Sequence, residues 1–134
     1  MSTANSFRRF VGHKYLSLES FRKNGDGVRT PVWFAPAAPQ AGDGSVRRLY
    51  VYSIGNSGKV KRIRNNPRVR IAPCDMRGRL RGEWMEAHAE ILRGEEATRG
   101  MRLLNQKYMP WKQLLDFFAR FRRRERTVFA IRPV

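Results

Sequence analysis

Apolar and polar residues alternate with period two along Tyr15-Leu-Ser-Leu-Glu-Ser-Phe21, the pattern of a half-buried β-strand. The same alternation runs from Trp84 to Leu92. Met85, Ala87, Ala89 and Ile91 share one face there, and Trp84, Glu86, His88, Glu90 and Leu92 the other. The turn-forming run Lys23-Asn-Gly-Asp-Gly27 links the first strand to a second over Val28–Ala35. Pro31 lies inside that second strand and donates no backbone N–H, so it marks an edge or a bulge where the ladder is open and a ligand can reach the main chain. Pro36 to Val46 reads as a Pro/Ala/Gly-rich hairpin loop. Further strands are predicted at Arg48–Ile54, Arg68–Cys74 and Thr127–Ile131, with a loop over Asp75–Gly82. Three stretches switch to helical spacing. Val60 and Ile63 make a small apolar face after the third strand. Ala97, Met101, Leu104 and Tyr108 form one longer stripe, and Trp111, Leu114, Leu115, Phe118 and Phe121 another, with Pro110 between them as in a helical hairpin. The predicted architecture is mostly β. It is a six-stranded antiparallel barrel with a short helix after strand three and a helical hairpin before the last strand. Residues 1–13 read as a basic, at most loosely ordered N-terminal arm, and 14–134 as a single domain.

Composition sharpens this picture mainly through charge. The chain has 134 residues, 41% of them hydrophobic, which is enough for one core. Twenty-eight Lys plus Arg against eleven Asp plus Glu give a formal charge of +17, an excess that favours polyanionic partners. One cysteine, Cys74, excludes an internal disulfide and any multi-cysteine metal site. Residues 1–10 are polar and basic, unlike a signal peptide, and no apolar run approaches the ~20 residues that span a bilayer. The expectation is a cytoplasmic protein without membrane insertion.

Familiar catalytic signatures are missing. The chain has no Gly-x-Gly-x-x-Gly, Walker loop, His-Glu-x-x-His or Gly-x-Ser-x-Gly. With one cysteine and two histidines, nucleophilic or zinc chemistry has few parts, so catalysis here would rely on an organic cofactor. Glu86, His88 and Glu90 share a strand face, but alternating polar residues on a half-exposed sheet account for them, and no metal site is assigned. His13 reads as a surface histidine and Cys74 as a buried structural thiol. The aromatic residues Trp111, Phe117, Phe118 and Phe121 read as core or dimer packing. The run Arg120, Arg122, Arg123, Arg124 and Arg126 is either a solvated helix end or a polyanion-docking patch.

The most informative segment is Ser57-Gly-Lys-Val-Lys-Arg-Ile-Arg-Asn-Asn-Pro67. Ser57 is a good N-cap, and Pro67 lies beyond the helix end. Lys59 and Lys61 then fall in the first turn, where free N–H groups already carry positive potential. Each misplaced cation costs on the order of 0.3–1 kcal/mol. A bound phosphate removes the conflict, because amides and ammonium groups converge on it.

Taken with Arg29-Thr-Pro-Val-Trp33, Leu49-Tyr-Val-Tyr-Ser53 and Val69-Arg-Ile-Ala-Pro-Cys-Asp75, this segment resembles the pyridoxamine 5′-phosphate oxidase-like split β-barrel superfamily. The resemblance runs from about Tyr15 to Ile131 and looks strongest to the branch of deazaflavin (coenzyme F-420)-dependent oxidoreductases. It implies a homodimer with cofactor sites between the barrels. Ser57, Lys59 and Lys61 would hold the phosphate, with the Gly58 backbone close by. The ring would lie on the main chain of Thr30, Pro31 and Val32, near Ser53, with Trp33 bordering it or packing in the core. Trp84 of the opposite protomer would close the pocket. The implied reaction is hydride transfer between the deazaflavin and an unsaturated or conjugated small organic molecule, and no general acid is nominated. The excess charge suits the coenzyme's phosphate and oligoglutamate tail better than FMN. An FMN- or haem-binding barrel, a non-catalytic cofactor carrier and a nucleic-acid or polyanion-binding module remain as alternatives.

Overall fold

The computed structural model describes residues 7–37, 46–54, 58–107 and 126–134, with backbone only at 53, 54, 105 and 126. Six strands are present: β1 (Tyr15–Phe21), β2 (Gly27–Pro36), β3 (Leu49–Ile54), β4 (Arg68–Cys74), β5 (Met85–Leu92) and β6 (Arg126–Pro133). Helix α1 (Gly58–Asn65) follows β3, and α2 (Gly94–Lys107) follows β5. All pairings are antiparallel, and the order β1-β2-β3-β6-β5-β4 closes through β4 on β1. The barrel and the helix after strand three match the sequence pattern. Only the first helix of the expected hairpin lies among the described residues; the stripe from Trp111 to Phe121 and the arginine run 120–124 lie outside them.

Alternation decides what fills the barrel. Leu16, Leu18, Val32, Phe34, Val51, Val69, Ile71, Ala87, Ala89, Phe129 and Ile131 point inward and form one buried cluster. Val60 and Ile63 join it, so α1 is pinned to the barrel by the two apolar positions its spacing predicted. A second cluster lies on the outer face, where α2 covers Tyr50, Tyr52, Leu92, Val128 and Ala130 with Ala97, Met101 and Leu104. Gly100 lets this helix approach closely. A Cβ there would meet Tyr50 Cδ1 at 2.8 Å and Val128 Cγ1 at 2.9 Å.

The N-terminal stretch departs from expectation. Residues 7–13 are not a loose arm. Phe7 N–H donates to Val46 O, Arg8–Phe10 form a 3₁₀ turn, and Phe7 and Phe10 are fully buried. Phe10 packs edge-on against Phe7 and Phe34, with centroids 6.0 and 6.2 Å apart. The basic residues around them concealed two aromatic anchors three positions apart.

Lys107, at the end of α2, ties this region together. Its ammonium donates to His13 O at 2.6 Å and Phe34 O at 2.8 Å, 3.5 Å from the Phe34 ring centre. Burial pulls its pKa down to about 8. Between pH 8 and the ordinary lysine range, the unfolded chain keeps a proton that the folded protein has lost, so this group makes stability rise with pH. Thermal melts at pH 8 and pH 10 should therefore rise less in Lys107→Met than in the wild type. Equal slopes would show that Lys107 does not titrate early.

Candidate functional site

The barrel is split beside β2. Residues 27–33 pair along their whole length with β1, but β2 meets β3 only at Phe34, Ala35 and Pro36. Beyond that point β3 continues against β6 alone, through Tyr52, Ser53 and Ile54. Among the described residues, Thr30, Pro31 and Val32 of β2 thus have no strand partner on the β3 side. The open ladder expected at Pro31 is present. Pro31 is exposed, Val32 is buried in the barrel core, and the Trp33 ring stacks on Tyr52 across the split with centroids 6.4 Å apart. Thr30 Oγ1 is buried with no hydrogen-bond partner among the described residues. Such an orphan costs about 1–3 kcal/mol unless something binds to it.

Helix α1 begins immediately beyond the split. Its first turn holds Gly58 and a half-buried Lys59, whose pKa is lowered by burial first and by Arg62 second. The Arg62 guanidinium folds back toward Gly58, where an added Cβ would lie 2.6 Å from Nη1, and Nε donates to the buried Ser20 Oγ at 2.7 Å. Arg62 in turn is held below its ordinary value by burial and then by Arg22. None of Lys59, Arg62 or Arg22 forms an ion pair among the described residues. Three cations therefore gather at the electropositive end of a helix with no carboxylate to balance them.

Lys61 does not join them. It is exposed, and two helical positions lie about 200° apart, so Lys59 and Arg62 share a face while Lys61 points away. Ser57 lies outside the described residues, and Ser53 is placed by its backbone only. Sequence reasoning missed Arg62, Ser20 and Arg22. The i, i+3 spacing of Lys59 and Arg62 was a readable signal. Their link to β1 was not, since Arg62 and Ser20 are 42 residues apart.

A charge row crosses the outer face of the neighbouring strands. Register places Arg29, Glu19, Arg70 and Glu86 side by side on β2, β1, β4 and β5. Glu19 is buried and pairs with Arg29 at 2.9 Å and Arg70 at 3.2 Å. Both guanidinium groups lie over the Trp84 indole of their own chain, 4.7 and 5.0 Å from its ring centre. Gly27 keeps room for the Glu19 carboxylate, which an added Cβ would strike. Glu19→Ala should lower stability by about 1–3 kcal/mol, below the figure for a fully buried pair because both arginines reach solvent. Denaturant unfolding measures this, and a loss under ~0.5 kcal/mol would mean that the row carries no weight.

The other candidates stay structural. Cys74 is buried, and desolvation followed by the Asp75 charge raises its thiol to about 11, so it is not an activated nucleophile. Glu86 pairs with Arg68, and no group of three metal-ligating side chains occurs among the described residues. No helix of the described residues is long and apolar enough to cross a membrane.

No family model and no curated protein matches the chain. Solved structures do. The haem storage protein HutZ from Vibrio cholerae superimposes with a TM-score of 0.62 at 14% identity, over 95% of this chain and 87% of that one. A FAD-binding protein from Mesorhizobium loti gives 0.58 at 15%, over 95% and 86%. A candidate pyridoxamine 5′-phosphate oxidase from Listeria innocua gives 0.55 at 17%, over 90% and 84%. The chain therefore shares its fold, an antiparallel split barrel, with these three proteins.

Proposed function

We propose that the chain binds a phosphorylated flavin-type cofactor, in first place the deazaflavin coenzyme F-420 and in second place FMN, and serves hydride transfer to an unsaturated or conjugated small molecule. The observation that carries this reading is the group of uncompensated cations Lys59, Arg62 and Arg22 at the α1 N-terminus, beside an unpaired strand edge. A phosphoryl group supplies the missing negative charge, and free backbone amides of the first turn add donors. The main chain of β2 from Thr30 to Val32 offers hydrogen bonds to a ring system, and the orphan Thr30 hydroxyl supplies one more polar contact.

In this reading Lys59, Arg62 and the Gly58 amide hold the phosphate. Ser57 caps the same turn, Lys61 adds charge at the rim, Ser53 lies across the split, and Trp33 with Tyr52 borders the ring site. When bound, the cofactor supplies the hydride; the protein supplies orientation and exclusion of water. A second protomer closes the cleft, so the working unit is a homodimer. The formal charge of +17 favours the deazaflavin, whose acidic tail extends past the phosphate. The FAD-binding neighbour of the same fold supports a flavin such as FMN as the alternative.

A haem reading, suggested by HutZ, has less support. His13 precedes β1 and His88 stands in register between Arg68 and Arg132, so neither lies at the α1 N-terminus. The deciding experiment is parallel equilibrium titration of ligand-free protein with F-420, FMN and haem, followed by absorbance and fluorescence. The expected order is F-420 tighter than FMN and FMN tighter than haem. Tighter binding of haem than of either phosphorylated ligand would discard the proposal.

A further inference from the structure

Exposed apolar side chains are scarce and unevenly placed. Among the described residues the large ones are Val11, Met76, Leu80 and Val134, and two of these fall in the loop joining β4 to β5. Met76 is 67% exposed and Leu80 46%. Arg77, Arg79 and Arg81 alternate through the same loop, are exposed, and form no ion pair among the described residues. The loop is nonetheless well built. Asp75 Oδ1 accepts from the N–H groups of Arg77 and Arg79, both at 2.9 Å, and Asp75 N–H donates to Arg79 O. Arg81 N–H returns to Pro73 O at 2.7 Å, and Gly78 takes the positive φ of 90° that the turn requires. A rigid tip that displays two apolar side chains and three guanidinium groups loses little freedom on docking.

We propose that this loop docks the protein onto an anionic lipid surface, with Met76 and Leu80 entering the headgroup–acyl boundary while Arg77, Arg79 and Arg81 pair with lipid phosphates. Peripheral docking of this kind needs no spanning segment. The alternation decides between occupants. Nucleic acid would reward the arginines but leave Met76 and Leu80 in water. A second copy meeting this loop across a two-fold axis would bring arginine against arginine. An interface with phosphates over a hydrocarbon layer satisfies both residue types.

The test is co-sedimentation of the full chain with vesicles of equimolar phosphatidylglycerol and phosphatidylcholine, beside vesicles of phosphatidylcholine alone. The wild type should pellet with the first and not the second. Arg77→Gln, Arg79→Gln and Arg81→Gln together should weaken binding on the order of a hundredfold, at about fivefold per charge. Met76→Ser with Leu80→Ser keeps every charge and should still weaken binding several-fold. If the serine pair binds like the wild type, the patch is an unspecific cationic surface and the proposal fails. Loss of self-association, rather than of lipid binding, in light scattering of either variant would reassign the loop to a second copy. As an independent readout, Met76→Cys can carry an environment-sensitive fluorophore, because Cys74 is buried. Its emission should shift to the blue with anionic vesicles, and an unshifted spectrum would overturn insertion even if the protein pellets.

Discussion

Replacing Lys59 and Arg62 together by alanine is expected to weaken F-420 or FMN binding by at least about a hundredfold, while the ligand-free protein melts at an unchanged or higher temperature. Each charge-assisted hydrogen bond to a phosphate is worth about 1.5–3 kcal/mol, so two lost contacts exceed the ~2.7 kcal/mol that a hundredfold represents. The stability side has the opposite sign. Removing two of three crowded cations relieves repulsion and burial at the α1 N-terminus, which offsets the lost charge-assisted Arg62–Ser20 bond of about 1.5 kcal/mol. A purely structural role for these residues would instead lower the melting point and leave affinity alone. Lys61→Ala is the internal control. An exposed cation at the rim should change affinity less than about fivefold. Equal losses for Lys61 and Lys59 would place the phosphate somewhere other than the Lys59–Arg62 face.

Phe10→Ala should be the most damaging single change outside the barrel strands, at about 3–5 kcal/mol. Domains of this size are stable by roughly 5–15 kcal/mol, so the variant would sit near the edge of folding at physiological temperature. The ring is wholly buried and wedged edge-on between Phe7 and Phe34. Arg9→Ala, one residue away, removes only a partner 5.7 Å above the ring and should cost under about 1 kcal/mol. Urea unfolding of both variants measures the contrast. A Phe10→Ala midpoint within error of the wild type would mean that the N-terminal turn detaches without consequence.

The strands were legible because each one repeats a single rule over enough residues. Tyr15–Phe21 and Arg68–Cys74 appear where period-two patterning and turn residues placed them, and Met85–Leu92 begins one residue late. Val60 and Ile63 announced α1 and its buried face in the same way. The site was legible only in part. A cation at the wrong end of a helix is a local contradiction, visible in sequence for Lys59, but the rule cannot tell which cation shares its face until helical phase is applied. That phase favours Arg62 over Lys61. The Ser20 hydroxyl, the Glu19 charge row and the Trp84 stack depend on contacts between residues 10 to 55 positions apart, which no local pattern records. Phe7 and Phe10 were hidden for a different reason: two buried rings in a short polar stretch have no period to reveal them.

The stretch Thr30–Val32 of β2, without a strand partner on the β3 side among the described residues, also bears on how the protein survives at high concentration. A row of free main-chain donors and acceptors is a template on which a foreign strand can grow into a cross-chain sheet. Pro31 interrupts that row with a position that has no donor, and Arg29 sets a formal charge two residues before it. These two residues oppose the addition of a foreign strand at that margin. A β-branched, uncharged pair in their place would turn that margin into a nucleus for aggregation.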